Sequence, residues 1–388
     1  MGIIDDVVGQ THDWVVGHRE KDLPPTRLTP ALAAKWLLDE WALQVEVAQS
    51  HIRPPSADFR RRLRNELGDG VEIFNERGWV DEPRSYHLDP PPLTNPTTKH
   101  RRFSGLDYEH LSFESEYEPH LEEPGRDRWL GYSGNRTAHA WIMRHDGEPR
   151  PWLICVNGYR TGFPAIDFRA FEARRLHHTY GLNLAFPVSP LHGPRAIGIS
   201  GDNVLSGGAM NTVHTAAQGI WDIRRLKNWI QTTQVADAGP PGGRNIGIMG
   251  LSLGGYLTAL VASFEADLAC AIAGIPESDL VRGMRRNVER LLPPFYEQWG
   301  LSWRSMERVN RVVSPLALEP LIPVERRFIF AGLADRWVRP GNVKALWDHW
   351  DEPEICWYQG SHLSFLVEPE VRRFIHQSLD TTLLSPTA

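Results

Sequence analysis

Cysteine is scarce in this chain of 388 residues. Three thiols, Cys155, Cys270 and Cys356, are too few for the disulfide framework of a small secreted scaffold, and their spacing fits no metal motif. Each lies in an apolar, strand-like segment, so all three read as buried packing residues in a reducing compartment. Long hydrophobic runs are also missing, and no stretch approaches the roughly 20 apolar residues of a membrane-spanning helix. The acidic start, Met1 to Asp6, has no basic region followed by an apolar core, so no signal peptide is expected, and Asp6 breaks the myristoylation pattern. Positive charge is not in excess: the formal net charge is −6. That argues against a nucleic-acid partner, whose binders carry a basic face. The densest basic run, Phe59 to Arg64, falls in a helix-like segment and reads as a solvated face. Neither G-x-G-x-x-G nor a phosphate-binding G-x-x-x-x-G-K-[ST] occurs, and no His/Asp/Glu cluster has metal-ligand spacing. No cofactor and no metal are expected, and a cytoplasmic enzyme is the default.

What is present is an ordinary globular composition, with 41% hydrophobic and 23% charged residues, in a chain long enough for a large core and an extra subdomain. Residues 1–28 have weak periodicity and read as an arm. Thr29-Pro30 signals a helix start, and Leu32, Trp36, Leu43 and Val47 follow at helical spacing. A second helix is expected from about Ser56 to Gly68. Asp89 to Pro96 is proline-rich and reads as a linker. Beyond it the character changes. Tyr108–Tyr117 and Thr137–Met143 suggest an edge hairpin, and Trp152–Val156 is a continuous apolar run of the kind that forms a strand buried on both faces. Strands then alternate with helices to the end of the chain, including a helix around Asp167–Tyr180 and a long helix from Met210 to Ile230 with Val213, Ala217, Ile220, Ile223, Leu226 and Ile230 on one face, which implies a mostly parallel sheet covered on both faces. Residues 277–318 interrupt the alternation with helical segments rich in aromatics, among them Phe295, Tyr296, Trp299 and Trp303.

The most informative stretch is Gly250-Leu251-Ser252-Leu253-Gly254-Gly255, between the apolar run Asn245 to Gly250 and a helix-like run Tyr256 to Phe264. G-x-S-x-G between a strand and a helix has the form of a nucleophile elbow, a strained turn that lifts the serine above the sheet edge. Gly250 and Gly254 leave out the Cβ atoms that would collide where strand and helix pass. By itself the pattern arises by chance in about one chain in ten of this length, so its partners decide. A serine hydroxyl needs a base and a carboxylate that orients it. Asp335 follows the strand ending at Gly332, and His362 follows the last strand. Catalytic groups of open α/β sheets sit at these carboxyl ends, and the order Ser, acid, His is that of the elbow-bearing fold. Rival acids are Glu277 and Asp279. Rival bases, His349 and His376, lie inside helix-like stretches.

With these motifs the chain resembles the α/β-hydrolase superfamily over about residues 105–380. Gly250-x-Ser252-x-Gly254-Gly255, Gly332-x-x-Asp335-x-x-Val338-x-Pro340 and Gly360-Ser361-His362 are similar to forms in its esterase, dienelactone-hydrolase and prolyl-oligopeptidase branches. The resemblance implies a mostly parallel twisted sheet flanked by helices, preceded by an arm and helical subdomain (1–104), interrupted by a cap at about 277–318 and followed by a short tail (381–388). It implies catalytic Ser252, Asp335 and His362, with an oxyanion hole from the N–H of Leu253 and a second N–H in Asn157-Gly158-Tyr159. Many relatives have His-Gly where this chain has Asn-Gly. Tyr159 is the expected donor and Gly158 the alternative. His192 and Trp337 are candidate pocket residues. The expected activity is metal-free hydrolysis of a small carboxylic ester through an acyl-enzyme, falling as His362 protonates around pH 6 to 7. The same triad could instead act on a peptide, thioester or carbon–carbon bond. About 100 N-terminal residues with helical pattern leave no room for the propeller of a prolyl-oligopeptidase-like enzyme, which weighs against peptidase activity. A non-catalytic binding protein on this fold is the reading from another class.

Overall fold

The computed structural model describes residues 23–50, 56–236, 246–291 and 301–384. Among them, nine strands form one sheet: β1 (Thr97–Phe103), β2 (Leu106–Glu114), β3 (Thr137–Met143), β4 (Trp152–Val156), β5 (Asn183–Pro187), β6 (Ile246–Leu251), β7 (Ala271–Gly274), β8 (Arg327–Gly332) and β9 (Glu354–Tyr358). Their order is β1-β2-β3-β5-β4-β6-β7-β8-β9. β1, β2, β3 and β5 pair antiparallel, and from β5 to β9 the neighbours are parallel. β4, β5, β6, β7 and β8 are buried along their whole length, which is why they appear in the sequence as short apolar runs, with Asn183 at the start of β5 and Arg327 at the start of β8 as the polar exceptions.

Alternate side chains of the same strands feed two cores. Ile154, Val156, Ile248, Ala273 and Ile329 enter one, and Leu153, Cys155, Met249, Ile272 and Phe330 enter the other. The first core is closed by the N-terminal helix α2 (Ala57–Glu76), the long helix α3 (Ala209–Ala236) and α4 (Leu253–Ala262). The expected stripe Val213, Ala217, Ile220, Ile223, Leu226 and Ile230 is buried along α3. Helix α1 (Pro30–Ser50) starts where Thr29 Oγ1 accepts the Leu32 N–H at 3.1 Å, an N-cap. Beyond β7 come α5 (Leu280–Leu291) and α6 (Trp303–Asn310), then α7 (Pro340–His349) between β8 and β9, and α8 (Pro369–Leu379) after β9. Phe295, Tyr296 and Trp299 lie outside the described residues.

Three local expectations are corrected. β2 and β3 do pair, but they are not the edge, because β1 lies outside β2. β1 is exposed at every residue and rich in Lys and Arg. Such a strand has no buried face to impose alternation, and its charge discourages pairing with another chain. α2 does not stop at Gly68 but continues to Glu76. Gly68 lies within the helix with open space where a Cβ would stand, so it ends nothing, and two residues on, at Gly70, a Cβ would come within 3.3 Å of Met210 and Val309, where the continued helix makes a close crossing. The helix read over Asp167–Tyr180 is broken. It ends at Ala170, Glu172 takes φ +49°, and a separate turn covers Arg175–Thr179.

The strand order places the site. β4 runs on to β5 on one side, and the chain then crosses back to put β6 on the other side of β4. The loops leaving β4 and β6 therefore diverge and open a crevice at the strands' carboxyl ends, the switch point at which open α/β sheets bind ligands. Val156 and Gly250, adjacent in register at those ends, bring Asn157-Gly158-Tyr159 beside Ser252.

Candidate active site

Ser252 leaves β6 and enters α4 with φ +57° and ψ −115°, a conformation that L-residues hold only under constraint. The constraint is contact between backbones. A Cβ at Gly250 would fall on the Gly254 carbonyl, and one at Gly254 would fall on the carbonyl oxygen of Val156 in the neighbouring strand. At Gly255 a Cβ would lie 2.8 Å from Gly274 O. Because backbone lies on both sides, relaxation cannot absorb an added methyl. Gly254→Ala is expected to lower stability by at least about 3 kcal/mol, read by urea unfolding. A loss below about 1 kcal/mol would mean that strand and helix can separate without penalty.

His362 bridges Ser252 and a carboxylate. Its Nε2 is 3.1 Å from Ser252 Oγ, and its Nδ1 is 2.7 Å from Asp335 Oδ2. The other oxygen of Asp335, Oδ1, accepts the N–H groups of Trp337 and Val338, both at 2.8 Å. A carboxylate accepts only, so neutral His362 carries its proton on Nδ1 and offers Nε2 to the serine hydroxyl. Burial of the ring pulls its pKa down. The charge and hydrogen bond of Asp335, with the charge of Asp39, outweigh that effect and hold it above the ordinary value of 6.5. Trp337 stacks along the imidazole, with centroids 5.9 Å apart and planes 20° from parallel. The arrangement can take a proton from Ser252 and stabilise the imidazolium that results.

Leu253 is the first residue of α4, where N–H groups have no intrahelical partner and the helix dipole is positive. Opposite, Gly158 lies against the elbow: a Cβ there would be 3.0 Å from Leu251 O and 3.7 Å from Ser252 Cβ. Buried Asn157 explains the departure from His-Gly. Its Oδ1 accepts from Ser189 N and Oγ, both at 2.9 Å, and its Nδ2 donates to Gly158 O, so it ties the β4 loop to the end of β5. Tyr159 donates its hydroxyl to Glu46 at 3.0 Å. His192 is fully buried, edge-on to the Tyr159 ring. Its Nδ1 donates to Pro190 O at 2.8 Å, and burial lowers its pKa to about 4, so it is neutral.

The rival groups are engaged elsewhere. Glu277 accepts from Asn342 Nδ2 at 2.7 Å and from Asp279 N, and burial pushes its pKa up to about 8. Asp279 accepts the Arg282 N–H in the first turn of α5. His349 bonds to Leu318 O, and His376 packs on Tyr180. Among the described residues, no group of three or more His, Cys, Asp or Glu is arranged to hold a metal, and no helix is long and apolar enough to cross a membrane.

Sequence reasoning missed the contribution of α1. Asp39, fully buried, accepts the backbone N–H of His362 at 2.6 Å, of Leu363 at 3.0 Å and of Arg336 at 3.2 Å. Glu40 bonds Arg336 Nε at 2.9 Å, and the Arg336 guanidinium lies over the Trp36 ring. Glu46 takes the Tyr159 hydroxyl and the Arg160 guanidinium. One signal was available: Trp36, Asp39, Leu43 and Glu46 are spaced by three or four residues, so the acids lie on the helix's apolar face, where a solvated carboxylate does not belong.

A family model described as the prolyl oligopeptidase family matches residues 220–372. Two uncharacterized proteins from strains of Mycobacterium tuberculosis, MT2702 and Rv2627c, are each 39% identical over 378 residues, covering 96% of this chain and 88% of theirs. Among solved structures, an acetyl xylan esterase from Paenibacillus sp. R4 superposes with a TM-score of 0.51 at 14% identity, over 87% of this chain and 99% of that one. The likeness at that identity is one of fold. The chain belongs to the family of these mycobacterial proteins, in the prolyl-oligopeptidase-like branch of the α/β-hydrolase superfamily, and is an α/β-hydrolase enzyme.

Proposed function

We propose that this enzyme cleaves a carboxylic ester, with Ser252 as nucleophile, His362 as general acid–base and Asp335 as the carboxylate that orients His362. The observation that carries the reading is the continuous chain from Asp335 through His362 to Ser252 Oγ, ending on a serine held in a strained turn. In this reading His362 Nε2 takes the serine proton as Oγ attacks the carbonyl carbon. The oxyanion rests on the N–H of Leu253 and of Tyr159. His362 then protonates the departing alcohol, and the ester C–O bond breaks to leave an acyl-serine. Water, deprotonated by His362, attacks the acyl carbon, and Ser252 leaves with its proton restored. Trp337 and the cap at about 277–318 shape the acyl site above a catalytic domain of about 105–380. The three free thiols fit work in a reducing cytoplasm.

Two measurements test the reading. Nitrophenyl acetate and butyrate, a peptide nitroanilide and an acyl-CoA are offered to the same preparation. Ester turnover well above amide and thioester turnover is expected, and amide cleavage without ester turnover would assign the site to peptides. In the pH profile, kcat/KM should fall on the acid side with a midpoint above 6.5, because only neutral His362 accepts the serine proton and its pKa is raised. A rate that holds to about pH 5 would exclude His362 as the base.

A further inference from the structure

We propose that α1 is a working part of the active site, and that the Asp39 carboxylate is a positioning residue locking the acid loop and the base loop to each other. The proposal rests on the assignment of Asp335 and His362 as acid and base, and goes beyond it to what holds them in place. Both groups sit on loops, beyond the ends of β8 and β9, where the sheet no longer fixes the backbone. Across the junction, the Ala334 N–H donates to Gly360 O at 2.9 Å. Asp39 supplies what is missing beyond that point. Its Oδ2 accepts from Arg336, the residue after the acid, and from His362, the base itself, while its Oδ1 accepts from Leu363. One buried carboxylate thus joins the two loops through three backbone amides, more than 290 residues away in sequence.

The rest of the helix face serves the same end. Leu32 and Trp36 pack on Ala334, beside the acid loop. Glu40 holds Arg336, and Lys35 reaches Glu368 at 2.6 Å, beyond the base loop. Glu46, about two turns beyond Asp39, holds Tyr159 and Arg160 in the loop after β4. A single helix therefore touches the acid loop, the base loop and the loop expected to give the second oxyanion donor. The chemistry at position 39 requires a carboxylate. Asparagine has one acceptor oxygen, and its NH2 would face an amide donor in place of the second. Misplacement of a catalytic group by about 1 Å slows reaction by about 100-fold.

The test is amide hydrogen exchange together with acylation kinetics. In Asp39→Asn, peptides covering 335–338 and 361–364 should exchange at least about tenfold faster, with β4 and β6 unchanged. Phosphonylation of Ser252 by a fluorophosphonate, the counterpart of acylation with fluoride as leaving group, should slow by about 10- to 100-fold, and in ester turnover kcat should carry the loss rather than KM. The acid limb should move to lower pH. The carboxyl groups facing His362 are Asp335 after β8, Glu277 after β7 and Asp39 on α1, and the variant removes the negative charge of Asp39. Wild-type protection of both loops with wild-type acylation would overturn the proposal. A milder variant covers the case in which Asp39→Asn fails to fold. Exposed Ala34→Gly softens α1 without touching either loop, so exchange at 335–338 and 361–364 should rise about fivefold in step with α1. Faster exchange in α1 alone would equally overturn it. The exchange readout does not depend on hydrolysis. A wild-type enzyme that fails to react with the fluorophosphonate removes the serine-hydrolase reading, while exchange still decides whether Asp39 holds the loops.

Discussion

Ser252→Ala is expected to reduce ester turnover by about 10⁴- to 10⁶-fold while leaving the fold and its stability close to wild type. The size follows from the mechanism. Without Oγ there is no acyl-enzyme, His362 has no proton to accept, and only the oxyanion donors and binding remain to assist attack by water. The fold survives because the elbow's strain belongs to its backbone contacts, made by Gly250, Gly254 and Gly255, and not to the hydroxyl. Alanine at φ +57° is no worse placed than serine. A variant retaining more than about a tenth of the wild-type rate would mean that the hydrolysis occurs elsewhere.

Asp335→Asn is expected to lower kcat by about 10⁴-fold, through the proton on His362 rather than through collapse of the site. Asp335 Oδ1 is fixed by the N–H groups of Trp337 and Val338. An asparagine oxygen would keep those two bonds, which turns the NH2 toward His362 Nδ1. Nδ1 must then accept, the imidazole proton moves to Nε2, and Nε2 meets the Ser252 hydroxyl as a donor instead of a base. Glu277→Gln is the matching control. Glu277, with a pKa of about 8, is already uncharged at neutral pH, and its Oε1 accepts from Asn342 and the Asp279 N–H, bonds that an amide oxygen reproduces. Its rate should stay near wild type. Kinetics in which Glu277→Gln is crippled and Asp335→Asn is not would transfer the orienting role to Glu277.

The parts of the molecule legible in the sequence are those in which one local requirement dictates residue type. β4, β6 and β8 are buried on both faces and read as apolar runs. The elbow glycines are dictated by backbone oxygens close enough to exclude a Cβ. Asp335 stands out because it follows one such strand, β8, and His362 because it follows the last strand of the alternation, β9, although β9 is only partly buried. The features missed depend on partners distant in sequence. β1 carries no pattern because neither face is buried. Gly68 reads as a stop because nothing near it in sequence shows that the helix is continued by the packing of Gly70 on Met210 and Val309. Asn157 looks like a turn residue until Ser189 is found bonded to it. The place of Asp39 on the apolar face of α1 signals a buried partner without naming it, and only the folded chain brings Asp39 and Glu40 to Arg336, His362 and Leu363.

The most direct test of the account is covalent. A fluorophosphonate reacts with a serine only where a base removes its proton and an oxyanion site accepts the phosphoryl oxygen. Intact-mass measurement of the labelled wild-type enzyme should give one adduct, and peptide mapping should place it on Ser252, with no adduct in Ser252→Ala. An unlabelled wild-type protein, or an adduct on any residue other than Ser252, would contradict the account.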